Sequence, residues 1–289
     1  MKNFLKTFIP VAHCAALLAF WSFAVAPAFA DDTTNASFVE PYDYASPKLL
    51  TATLYAIGSN RQDVLYTFRR TATRSNDTVN VTRQFITTNG DLAAEEKIVY
   101  VSGQLDSFEL QEFQAQVSGS IRIAPNPKNP DREQLIISYG PGLAPPKGDV
   151  ENLPTNTVID DTLCPFLLAH WDDLMAGKSP KFHFVSLEHE RTYEFRLART
   201  GELTQDNQTV EQIKMEAVNP FVAEFVDPIV MLVQKDSPHH ILSYIGRTTP
   251  RIKKGKSWKY LNAETVFHWP QLSGSNASQG LAGVKAMPR

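Results

Sequence analysis

Val64-Leu65-Tyr66-Thr67-Phe68-Arg69 places Val64, Tyr66 and Phe68 in alternation with Leu65, Thr67 and Arg69. Successive side chains of an extended strand point to opposite faces, so the stretch reads as a strand with one drier side. Outward from it, Val79 and Val81 alternate with Asn80 and Thr82 and lead to Phe85. The Ser75-Asn76-Asp77 cluster between the two runs is a turn signal. Thr88-Asn89-Gly90-Asp91 then offers an Asn-Gly pair that tolerates the positive φ of a tight hairpin. Further strands are expected at 95–102, 106–116, 118–123 and 133–139. Proline removes ladder donors and fixes φ, so two stretches read as loops. One is 124–132, with Pro125, Pro127 and Pro130. The other is 140–157, with Pro141, Pro145, Pro146 and Pro154, a long linker between two β-rich halves.

The clearest helix is expected at 161–176. Asp161 or Thr162 can cap it, Pro165 falls in its first turn, and Gly177 can stop it. Leu163, Phe166, Leu167, Trp171 and Leu174 recur at helical spacing, so one stripe should lie against a sheet face. Strand alternation resumes with Phe182 and Phe184, then Tyr193, Phe195 and Leu197, then Ile213 and Met215. Asn219-Pro220 opens a short helical turn, and Ile229–Val233 reads as a strand buried on both faces. A segment at 240–247 ends at Gly246, and Leu261, Ala263, Thr265, Phe267 and Trp269 form a last strand. The fold class is mainly β (α+β): a large curved antiparallel sheet or half-barrel, over residues 48–269, with one main amphipathic helix packed on it. A dozen strands do not stay flat, because sheet twist curls them.

The start of the chain carries a different signal. Lys2 and Lys6 precede an apolar run from Ala15 to Val25, and Ala28-Phe29-Ala30 supplies small residues before Asp31 and Asp32. This is the pattern of a cleaved export signal over 1–30, which places the mature protein in a periplasm. Residues 31–47 read as a flexible lead-in and 270–289 as a mobile tail. Removal of 1–30 leaves 26 Lys and Arg against 31 Asp and Glu, a net charge of −5. That balance argues against a nucleic-acid partner. No later segment is long and apolar enough to span a bilayer. Arg251-Ile252-Lys253-Lys254-Gly255-Lys256 is the one basic run, read as a solvated loop with an anion or lipid-headgroup contact as its alternative. Cys164 is the single cysteine left, so no internal disulfide forms.

No nucleophile elbow, phosphate loop or dinucleotide fingerprint is present, and no residue is assigned a catalytic, metal or cofactor role. Two histidine regions form the enzymatic alternative, a periplasmic hydrolase. His170 with Asp173 would sit three apart on the helix, where a carboxylate can orient an imidazole as a general base. His183 and His189 share a strand face and would meet only if a hairpin formed at 186–190. Glu95-Glu96 and Asp160-Asp161 are adjacent pairs; on a strand such neighbours point apart, so the glutamates are not expected to act together. What remains is apolar surface. Phe182, Phe184, Phe195, Met215, Phe267 and Trp269 are the candidates for a concave pocket that takes an apolar small molecule or lipid.

Three sequence stretches carry a resemblance. They are Val64-Leu65-Tyr66-Thr67-Phe68-Arg69-Arg70, His170-Trp171-Asp172-Asp173-Leu174-Met175-Ala176-Gly177 with Phe182-His183-Phe184, and Asp227-Pro228-Ile229 with Tyr244-Ile245-Gly246-Arg247. Over about 60–250 the chain resembles a group of uncharacterised exported proteobacterial proteins. Its order of strands, helix and strands is similar to a broader domain of unknown function in bacterial envelope proteins, and distantly to the curved sheets of periplasmic lipoprotein carriers. The reading from the apolar surface is a non-enzymatic periplasmic protein binding an apolar ligand or an envelope partner, with a purely structural envelope component as a further alternative. The resemblance implies no catalytic residue and no cofactor.

Overall fold

Period-2 patterning yields fifteen strands among the described residues. They are β1 (Leu49–Ala56), β2 (Val64–Ser75), β3 (Thr78–Thr87), β4 (Leu92–Val101), β5 (Gln104–Glu112), β6 (Val117–Asn126), β7 (Asn129–Pro141), β8 (Asp149–Asn152), β9 (Thr157–Val158), β10 (Lys181–Ser186), β11 (Arg191–Gln205), β12 (Gln208–Ala217), β13 (Ile229–Gln234), β14 (Ile241–Lys254) and β15 (Ser257–His268). A 3-10 turn at Asp160–Thr162 leads into α1 (Leu163–Ala169) and α2 (Trp171–Met175), and α3 (Pro220–Ala223) follows β12. The computed structural model describes residues 49–269 except 145–146 and 206–207. The expected export signal at 1–30, the lead-in at 31–47 and the tail at 270–289 lie outside the described residues. All described residues belong to a unit of Thr34–Arg289.

One sheet holds all fifteen strands in the order 8-7-6-5-4-3-2-1-15-14-13-12-11-10-9. Neighbours are antiparallel except β9, which runs parallel to β10. The chain thus meanders from β1 to one edge, crosses over, and meanders back until β15 closes beside β1. The two edge strands, β8 and β9, are separated by only residues 153–156. Four linking residues reach under about 20 Å. Fifteen strands laid flat would span about 65 Å. The sheet must therefore curl until its edges approach each other.

The in-phase residues Tyr66, Phe68 and Ala72 of β2 and Val79, Val81 and Phe85 of β3 are buried on the concave face, while Thr67 and Arg69 are exposed. Across the interior, Phe182, Leu197, Ile213 and Met231 form a second wall. The turn and helices from Asp160 to Met175 lie between the walls, since Asp161 bonds to β2 and β4 while Leu167 and Leu174 pack on β10–β13.

Several local expectations are corrected. The proline-rich 124–132 is not a loop: β6 passes through Pro125 and β7 begins at Asn129. Pro125 sits where the register slips, so its missing donor interrupts little. The 140–157 linker contains the end of β7, the edge strand β8 and the start of β9. The segment expected to stop at Gly246 continues to Lys254, and the basic run is half of the β14–β15 hairpin, with Lys253 opposite Trp258. Gly246 is instead a close approach, since a β-carbon there would lie 2.6 Å from Ile229 Cγ1. The single helix is broken at His170, whose backbone leaves helical geometry at φ −110° and ψ 17°. Neither expected cap operates. Thr162 Oγ1 bonds the Ile159 backbone, and Asp161 turns away to a guanidinium. Gly177, at φ +79°, follows the last turn.

Candidate functional site

Charged residues occupy inward positions of the strand alternation. Arg70 falls in phase with Tyr66, Phe68 and Ala72, and Glu96 with Ala94, Ile98 and Tyr100. Arg70 grips Asp161 with both arms, Nε to Oδ1 at 2.8 Å and Nη2 to Oδ2 at 3.1 Å. The Tyr100 hydroxyl donates to the same Oδ2 at 3.1 Å. Burial alone would push the Asp161 carboxyl up; the Arg70 charge and hydrogen bonds, with Arg83 and Tyr100, outweigh it and hold it below the usual range. Arg70 Nη1 is buried with no hydrogen-bond partner.

Arg83 Nη1 meets Glu96 Oε2 at 2.8 Å, outside hydrogen-bond alignment. Glu96 is 1% exposed. Burial pushes its carboxyl up to about 7, against the pull of Arg83 and with the charge of Asp160 adding to the rise. Asp160 is raised for the same first reason. Yet the Asp160 residue remains exposed, and Cys164 and Tyr244 nearby are only part-covered.

Towards one end of the sheet a second polar group forms. The Arg251 backbone N–H donates to Glu112 Oε2 at 3.0 Å. Its guanidinium donates to the hydroxyls of Tyr139 and, at 3.1 Å, Tyr260. Arg247 lies over the Tyr260 ring at 3.2 Å and bonds Glu188 Oε2 at 2.9 Å. Glu188 and Glu190 belong to the β10–β11 turn, and Glu190 accepts from the Tyr139 backbone at 2.9 Å. That turn thereby ties the far end of the sheet to β7.

The apolar candidates lie on the opposite wall. Phe182, Phe195 and Met215 are buried, and Phe184 and Phe267 are part-covered in the same cluster. Trp269 joins from the end of β15: its ring stacks on His240 at 4.0 Å and its Nε1 donates to Ile241 O at 2.8 Å. Against this wall α1–α2 buries Leu167 and Leu174, while Leu163, Phe166, Leu168, Trp171 and Met175 are part-covered. Trp171 stacks on His239 at 4.1 Å.

Of the two histidine pairings in the enzymatic alternative, the structure brings together His170 with Asp173 and not His183 with His189. His170 Nδ1 is 3.7 Å from Asp173 Oδ2, and Asp173 is bound more closely by Lys178 at 2.8 Å. Cys164 offers no nucleophile to His170, because burial and then Asp161 push its thiol up to about 12. His183 bonds Thr155 O at 3.0 Å, whereas His189 bonds Ser186 Oγ at 2.9 Å in the turn. The hairpin at 186–190 exists, but it does not bring these two rings onto one partner. No group of three or more metal-ligating side chains occurs among the described residues, and no described helix is long and apolar enough to cross a membrane.

No family model matches the chain, and no curated protein does. Among solved structures, a β-barrel-like protein of the domain of unknown function DUF1849 from Brucella abortus aligns over 76% of this chain and 92% of its own, with 7% identity and a TM-score of 0.34.

The residues that sequence reasoning missed are Arg70, Arg83, Glu96, Asp160 and Asp161. For Arg70, Arg83 and Glu96 the signal was present: a charge in the apolar phase of a strand can be solvated only at a strand end, so mid-strand it calls for an internal partner. Glu95 and Glu96 do point apart, Glu95 to Gln84 and Lys97 and Glu96 inward to Arg83.

Proposed function

We propose that this is an exported, non-catalytic envelope protein that accommodates an apolar chain, such as a lipid acyl chain, between α1–α2 and the β10–β13 wall. One observation supports it above the others. Leu163, Phe166, Leu168, Trp171 and Met175 pack against this apolar wall and are still only part-covered, as are Phe184, Tyr193 and Phe267 of the same cluster. A packed core covers such side chains fully. A concave apolar surface left part-open is the form of a ligand site. The Asp161–Arg70 pair fixes one end of the helical segment, while α2 is held by packing of Leu174 and the Trp171–His239 stack.

Native mass spectrometry with lipid extraction of protein purified from the periplasm tests the reading. Retained lipid is expected, and Phe166→Ser with Phe184→Ser should lose it while keeping a cooperative melt. Wild-type protein that carries no lipid and takes up no added fatty acid overturns the proposal in favour of a structural part in the envelope.

A further inference from the structure

We propose that the end of the sheet carrying α3 and the β14–β15 hairpin docks on an anionic lipid bilayer. Pairing places the two features at the same end of the sheet. β12 leads into α3 at the end where Met215 pairs with Ile229, and β14 passes that end after Ile245 pairs with Val230. β1 stops opposite Ala263, so the hairpin tip projects past both neighbours. Asn262 of the hairpin donates to Asp227 of the α3 loop at 3.1 Å.

The hairpin presents Lys253, Lys254, Lys256 and Lys259, all exposed, around the part-covered Trp258. Among the described residues no carboxylate lies within ion-pair reach of these four. The nearby Glu264 is taken by Arg61 at 2.7 Å. The α3 turn is apolar on both sides. Val222 and Val226 face the core, while Phe221 and Phe225, four residues apart, are 76% and 84% exposed. Glu224 and Asp227 are the carboxylates of this turn, and Asp227 is held by Asn262. A pair of projecting phenylalanines at the same end of the sheet as an uncompensated cluster of lysines is complementary to one surface, a layer of negative headgroups over hydrocarbon. A nucleic acid would not engage the phenylalanines in this way on a chain of net negative charge.

The inference uses no residue of the interior, so its failure and that of the ligand reading are separable. The test is co-sedimentation of the processed protein with phosphatidylglycerol-containing vesicles and with pure phosphatidylcholine vesicles. Binding to the first and not the second, weakening as salt rises, is expected. Lys253→Glu with Lys254→Glu and Lys256→Glu should reduce partitioning at least about tenfold, since each near-surface cation contributes to the attraction. Phe221→Ser with Phe225→Ser should reduce it about tenfold or more without changing the thermal midpoint or the interior lipid content. Equal binding to both vesicle types, no binding to either, or full binding by the charge-reversed variant overturns the proposal. Loss confined to the phenylalanine variant also overturns it and points to an apolar protein partner.

Discussion

Against the β10–β13 wall, the helical segment buries Leu167 and Leu174 among Phe182, Phe195 and Met215; against the β2–β4 wall, a few residues earlier, it buries Asp161 on Arg70 and Tyr100. Both contacts lie inside the same curled sheet, and both come from inward positions of a period-2 pattern. They constrain the segment differently. Apolar burial is non-directional and tolerates a shift. A two-armed guanidinium–carboxylate contact admits one geometry, and breaking it strands a charge. The ionic wall therefore sets where the helical segment starts, and the apolar wall lets its far end adjust.

The sharpest way to break this contrast is to remove the anchor. Asp161→Ala leaves Arg70 buried without its partner and should cost about 3–5 kcal/mol in denaturant melts. Replacing both partners by apolar residues of similar size, Arg70→Met with Asp161→Leu, should recover most of that loss. A cost under about 1 kcal/mol for the single change would show that water already screens the pair.

The apolar side should respond less steeply. Leu174→Ala or Leu167→Ala, each fully buried, should cost about 2–4 kcal/mol through the cavity left behind. Trp171→Ala should cost less than either, because its ring is part-exposed and lies flat on His239. If Trp171→Ala proves the most damaging of the three, the helix seats more deeply in solution than the wall contacts imply.

A pH series separates the walls further. Glu96 is raised to about 7 by burial, so the folded protein holds a proton that the unfolded chain releases near its ordinary value. The resulting stability is full below about 4.3 and is lost as pH rises through about 7, by up to about 3 kcal/mol. Asp161 has the opposite sign: its contribution is present above about 3.9 and is lost as pH falls through its depressed folded value. Melts between pH 5 and 8 should thus weaken with pH, and Glu96→Gln should flatten the slope. A wild-type profile flat over this range would mean that Arg83 neutralises Glu96 fully.

How far the sequence predicts this molecule follows the same division. Alternation at Val64–Arg69 and at Val79–Phe85 makes the strands and the curved sheet legible, because it records which face is dry. Proline misleads at Pro125 and Pro141, where a register slip or a strand end makes its missing donor cheap. The apolar wall is legible residue by residue, since Phe182, Phe184, Phe195, Met215 and Phe267 meet in one cluster. Of the ionic wall only the inward phase of Arg70, Arg83 and Glu96 is legible; its partners are not, because they are far apart in sequence: Arg70 lies 91 residues from Asp161 and Tyr100 lies 61. Only the return of the chain into its own sheet brings them together, and no local period encodes that.

The smallest effect should come from His170. Its ring rests on Phe166 at 4.5 Å and its contact with Asp173 is long, with Lys178 the stronger claimant on that carboxylate. The break between α1 and α2 falls at this residue, but its backbone makes the break: His170 N–H reaches both Phe166 O and Leu167 O at 3.2 Å, and His170 O receives Leu174 N–H at 3.0 Å. Alanine preserves all three bonds. His170→Ala should therefore leave the melting midpoint and the retained lipid unchanged, where Asp161→Ala changes the first and Phe166→Ser with Phe184→Ser the second. A stable His170→Ala protein that abolishes a cellular phenotype would favour the exposed face of the helix over the apolar wall and support the hydrolase reading.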